Sequence, residues 1–144
     1  MMEVRDFLAG RHKLIARLKS GKSLRGYLKS QTIARGQLHL TTVEGQEITV
    51  DIEKLKAVFF VRDFQGNKSY FENKLLQEDP ERVGLRARVR FDDNETMEGV
   101  VENSLELLQG SGFFFWPADY SANNLLVYVV KSALLGFKVI GLKG

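Results

Sequence analysis

The chain carries one pattern twice, and an internal repeat limits the possible folds more than any local propensity does. Shifted by 73 residues, Ala16, Leu18, Leu24 and Gly26 fall on Val89, Phe91, Met97 and Gly99. In the first copy Leu14, Ala16 and Leu18 alternate with Lys13, Ile15, Arg17 and Lys19. Beyond Ser20-Gly21, Leu24, Gly26 and Leu28 alternate with Arg25, Tyr27 and Lys29. Period two on both sides of a glycine turn predicts a β-hairpin. A basic amphipathic helix over residues 4–19 competes for the same residues. The second copy, residues 85–102, alternates too strictly for a helix and decides for strands.

Each copy continues in the same way. A third strand is expected at residues 37–42 and 112–117, then a strand pair within residues 46–60 and 124–140. About five short strands make a small barrel, and closure is how so small a sheet hides its edges. The expectation is an all-β chain of two five-stranded barrels in tandem behind a short N-terminal helix. Residues 1–63 hold the helix and first barrel, 64–81 a polar linker and 82–144 the second barrel. The helix spans residues 3–9, with Gly10 as its stop, and residues 70–76 suit a helical turn in the linker. The apolar run 125–142 is interrupted by Lys131, Gly136, Lys138 and Gly141, so it reads as buried strands and not as a membrane span.

Several kinds of chemistry are excluded or disfavoured. With no cysteine there is no disulfide, thiolate metal site or cysteine nucleophile, and the histidines are only two, His12 and His39. No nucleophile motif and no phosphate-cradling glycine loop appears, so the chain reads as a non-enzyme that needs no cofactor or metal. Asp92-Asp93-Asn94-Glu95 lacks the spacing of a calcium loop and reads as a hairpin turn. The first ten residues include Glu3 and Asp6 and no long apolar stretch, which points to the cytoplasm.

The helix, the five strands and the glycine in the second strand together resemble the Sm/LSm family, notably its Hfq-type bacterial branch. Gly26 with Leu28, and Gly99 with Val101, match the first motif, and Val61-Arg62-Asp63 comes close to the second. Thr32 and Leu105 stand where that family has a loop aspartate, so the resemblance implies the barrel and its edge-to-edge association more than the uridine pocket. Residues 55–64 and 112–124 also resemble an uncharacterised group of bacterial tandem Sm-like proteins. A second resemblance is to the cyclic-dinucleotide-binding PilZ domain. It rests on Arg82 and Arg86, four apart, with Ser104 or Ser121 in the sheet element, and would make those residues a dinucleotide site.

Charge offers the remaining signal. Eight bases and no acid occupy residues 11–35, from Arg11 to Arg35, whereas six acids and no base occupy residues 92–106. A basic hairpin suits nucleic acid through Lys13, Arg17, Lys19, Lys22, Arg25 and Lys29, with Tyr27 stacking on a base. The shift also sets Lys19 on Asp92, Lys22 on Glu95, Arg25 on Glu98 and Lys29 on Glu102. Opposite signs at equivalent outward positions suit an interface in which Arg25 and Lys29 face Glu98 and Glu102, within a chain or between chains. The expected role is a binding or assembly module whose partner is a second copy, another protein or RNA. The aromatic run 113–116, with Phe59, Phe60 and Phe64, can send only half its rings into one core. The rest are expected to pack against the other unit or another chain, or else to stand exposed as a binding surface for bases or protein.

Overall fold

Alternation of apolar and polar residues does produce strands, and the computed structural model describes them over residues 2–10, 12–29, 33, 36–65, 82–119 and 122–144. A short helix, α1 (Val4–Leu8), precedes β1 (Leu14–Leu18), β2 (Ser23–Leu28), β3 (Gln37–Thr42), β4 (Glu47–Asp51) and β5 (Leu55–Val61). The second unit holds β6 (Gly84–Phe91), β7 (Thr96–Val101), β8 (Gly112–Pro117), β9 (Asn124–Val130) and β10 (Leu134–Lys143). Glu3 and Asp6 form a reciprocal capping box at the start of α1, and Gly10, at φ 91°, follows its end. The linker turn at 70–76 lies outside the described residues, as do Arg11, Thr32 and Arg35.

Both units have the same strand order, fifth-first-second-third-fourth, and every pairing is antiparallel. A 3-10 turn precedes the fifth strand in each, at Ile52–Lys54 and Lys131–Ala133. The equivalence extends to register. Ala16 faces Val58 and Leu14 faces Phe60, while their counterparts Val89 and Ala87 face Phe137 and Val139. Gly26 and Gly99 serve one purpose: a Cβ at either would collide with the carbonyl of the third strand, at Thr41 or Trp116.

Two closed barrels do not form. The ten strands make one open sheet in the order β10-β6-β7-β8-β9-β5-β1-β2-β3-β4. Closing a unit would require its fourth and fifth strands to pair with each other. Instead β5 gives its second edge to β9, with Ala57 opposite Val129 and Phe60 opposite Leu126. That pairing saturates both strands and leaves β4 and β10 as the sheet's outer edges.

The two cores lie on opposite faces of this joint. Val58 and Phe60 of β5, with Leu126, Tyr128 and Val130 of β9, belong to the first core with Leu14, Ala16, Leu38 and Leu40. Ala57 of β5, with Val127 and Val129, belongs to the second core with Val89, Phe91, Phe113 and Phe115. Strands buried on both faces cannot alternate in polarity, which explains the continuous apolar runs in β5 and β9. The run 125–142 therefore divides: β9 is buried, but β10 is largely exposed. No described helix is long and apolar enough to cross a membrane.

Candidate functional site

A sheet that continues from one unit's outer face onto the other's inner face makes a concave corner on each side of the joint. On one side the corner is filled. Phe114 and Trp116, the members of the aromatic run that point away from the second core, pack against the first. Phe114 meets the Tyr128 ring at 5.1 Å. Phe7 of α1 wedges between Phe60 and Trp116 at 5.5 and 5.8 Å. Phe114 and Trp116 are thus spent between units, whereas Phe64 meets Tyr27 of the first unit and Phe59 stays half-buried. Burial, reinforced by the Glu106 carboxylate, pushes the Tyr128 phenol up to about 12.

On the other side the corner is charged. Lys56 is buried in an otherwise apolar strand, its ammonium 2.6 Å from Asp93 Oδ2 and 2.6 Å from Glu95 Oε1. It also lies 4.7 Å from the centre of the Phe91 ring. The Lys56 hydrogen bond holds the Asp93 carboxyl below its ordinary 3.8, helped by the Glu95 backbone N–H and Arg17. The acidic turn is built for this, with Asn94 at φ 72° and the Glu95 N–H donating to Asp93 Oδ1. Sequence reasoning placed the turn but missed its partner. The signal was there, a lone lysine inside the apolar run 55–61.

The basic residues proposed for nucleic acid are spread across one face, and several are engaged. Lys13 donates to the Arg62 carbonyl at 3.4 Å, Arg17 to Ser23 Oγ at 3.1 Å and Lys19 to Ser132 Oγ at 2.7 Å. Lys29 pairs with Glu47 at 2.8 Å, and the Tyr27 ring meets Phe64 edge-on at 5.8 Å. Lys22 and Arg25 are exposed and line separate shallow clefts.

Of the four interface residues, Arg25, Lys29, Glu98 and Glu102, no two are brought together within the chain. Glu98 accepts both Arg88 Nε and an Arg88 terminal nitrogen, at 2.8 and 2.6 Å. Glu102 lines a small cavity of 170 Å³ with Ser104 and Glu106, where burial and then Glu102 raise the Glu106 carboxyl above its ordinary value. Within the chain, charge links the units through Lys56 with Asp93 and Glu95, with Arg17 of the basic hairpin acting on Asp93. The dinucleotide residues are dispersed as well. Arg82 stacks on Trp116 at 3.4 Å and donates to the Met2 carbonyl, while Arg86 donates to the Leu142 carbonyl. Ser121 lies outside the described residues.

Residues 10–141, which hold both units and the joint but not α1 or the last two residues of β10, match a family of unknown function, DUF6982. The chain belongs to that family. No curated protein and no solved structure gives a match. The match begins after α1 and runs through both units.

The free edges differ in character. β4 is short and bears Glu47 and Asp51, whereas β10 is the longest strand and bears Lys138 and Lys143. Along β10, Leu135, Phe137, Val139, Ile140 and Leu142 are all exposed.

Proposed function

We propose that this protein is a non-enzymatic assembly module, built from two Sm-like units, whose copies join head to tail by placing β4 of one on β10 of the next. One observation carries the reading. The internal joint pairs a fifth strand with a fourth strand, and the free edges are the other fourth strand and the other fifth. Val58 and Phe60, covered by β9, are fully buried, while their counterparts Phe137 and Val139 are 39% and 47% exposed. An uncovered strand of this length is a template for another chain.

Two further features support it. The edges carry opposite charge, Glu47 and Asp51 against Lys138 and Lys143. The bulge residues also fit their neighbours. In the joint, the extra residue of β5 is Lys56, opposite the acidic turn at Asp93 and Glu95. The extra residue of β10 is Leu135, and the turn equivalent to 93 and 95 contains Ser20 and Lys22. A lysine at 135 would meet Lys22 in the assembled state; the leucine avoids that repulsion. The bulge at Leu135 does not bar pairing, since β5 carries the equivalent extra residue, Lys56, and still pairs with β9.

Such a contact is heterologous, so it closes into a ring or extends as a filament according to the rotation between copies. Sedimentation velocity across the micromolar range tests it. The parent should grow beyond a monomer with concentration, and a Phe137→Glu, Val139→Glu double variant should remain monomeric with an unchanged far-ultraviolet spectrum. A parent that stays monomeric throughout refutes the reading.

A further inference from the structure

The charged corner beside the joint remains open, in contrast to the corner that α1 fills. It forms a cleft of about 280 Å³. Its floor is apolar: Ile15 of β1 and Phe59 of β5 are cross-strand neighbours, both half-buried. Arg25 of β2 stands directly across from Ile15 on the other side, and Arg17 sits two residues along β1 on the same face. Asn124 adds an amide from the second unit, and Lys56 of β5 with Glu95 of the second unit forms the wall.

The charges in this corner do not cancel. Asp93 and Glu95 offset Lys56, which they contact, and Arg17, whose charge acts on Asp93. Arg25 forms no ion pair among the described residues and is the surplus cation. Arg17 donates its hydrogen bond to the Ser23 hydroxyl, a neutral partner that an anion would displace. A guanidinium beside an apolar floor suits a ligand with one anionic group and one flat, weakly hydrated body. The volume lies at the lower limit of small-molecule sites, which begin at about 300 Å³, so the body is a single ring system.

We infer that this inter-unit cleft binds a small aromatic anion, with its phosphate or carboxylate on Arg25 and Arg17 and its ring on Ile15 and Phe59. The site is independent of the free edges and does not need copies to associate. It also gives the basic hairpin a use that does not require a polyanion.

Phenyl phosphate is the probe, with inorganic phosphate and benzyl alcohol presenting its two halves separately. Two-dimensional NMR of the full chain should show saturable shifts at the Ile15 methyls and the Arg25 amide. Each half alone should bind about tenfold more weakly or worse, because the two contacts then act separately. Arg25→Gln and Arg25→Glu should each weaken phenyl phosphate by about tenfold or more, the usual size of a lost charged hydrogen bond. Lys29→Glu, just past the end of β2 and outside the cleft, should leave it unchanged. Shifts that do not saturate, that miss Ile15, or that survive both Arg25 variants overturn the assignment. Equal loss in Arg25→Glu and Lys29→Glu, with a single-stranded oligonucleotide outcompeting the probe, would show a diffuse polyanion face in its place.

Discussion

Lys56 and Leu135 occupy the same place in the two units, the extra residue of the bulge that opens the fifth strand, and their surroundings could hardly differ more. Lys56 is buried between two carboxylates and a phenyl ring, whereas Leu135 is 60% exposed. The polar residue is inside and the apolar one outside. Intrinsic hydrophobicity therefore does not decide burial here; the strand next door does. β5 has β9 on its second edge, and β10 has nothing among the described residues. The same contrast holds for Phe60 and Val139, and it turns one duplicated element into a structural joint and a vacant edge.

The sharpest way to break this comparison is to truncate its equivalent members. Phe60→Ala should cost about 3–5 kcal/mol, the usual range for an aromatic removed from a packed core. Val139→Ala, measured in parallel by urea unfolding of dilute protein, should cost less than about 1 kcal/mol. Similar losses at both sites would mean that β10 is as well packed as β5.

A second test asks whether the units are equivalent where they should be. Gly26→Ala and Gly99→Ala each push a Cβ into the third-strand carbonyl. Each should destabilise by about 1–3 kcal/mol through overpacking. A tolerated alanine in either unit would show that its second and third strands lie further apart than described.

The Lys56 clasp should contribute less, because Asp93 and Glu95 are partly solvated. Lys56→Met keeps the stem and removes the charge, and it should cost about 1 kcal/mol or less. The acid dependence has a definite sign. Asp93 has a folded value below 3.8, so its contribution is complete above that pH and is lost as pH falls through the folded value. Thermal melts from pH 5 down to pH 2 should show this loss in the parent and a reduced one in the methionine variant. Parallel acid profiles would remove Lys56 as the cause.

The smallest effect sharpens the comparison at the vacant edge. Leu135→Lys should weaken self-association through Lys22 of the neighbouring copy, by about 0.2–1 kcal/mol for an exposed pair. Adding Lys22→Glu should restore it, reproducing between copies the pairing of Lys56 with Glu95. Sedimentation at low salt reads both steps. No change in either variant separates Leu135 from the contact.

Much of the architecture was legible in local pattern. The third strands at 37–42 and 112–117 match β3 and β8 residue for residue, and the helix, hairpins and strand glycines fall where alternation and turn chemistry put them. The candidate site was less legible. The charge asymmetry suggested an interface of Arg25 and Lys29 with Glu98 and Glu102, within a chain or between chains, and no two of these meet within the chain. Within the chain the charged contact between units uses Lys56, a lone lysine in an apolar run that was not singled out from the sequence. Arg82, read as a phosphate ligand, is held against Trp116, a neighbour 34 positions away that no spacing rule connects to it.

What the sequence by itself determined was each element and its repetition. Period-two polarity, turn residues and the crowded glycines act over a few residues and specify one low-energy local geometry. Which strand would lie against β5 was decided only in three dimensions. The edge of a strand offers the same backbone N–H and C=O groups whatever its side chains, so β5 could satisfy them on β4, on β9 or on another copy. The choice of β9 rests on the fit of two cores on opposite faces of one pair of strands, a condition that exists only once both units are folded.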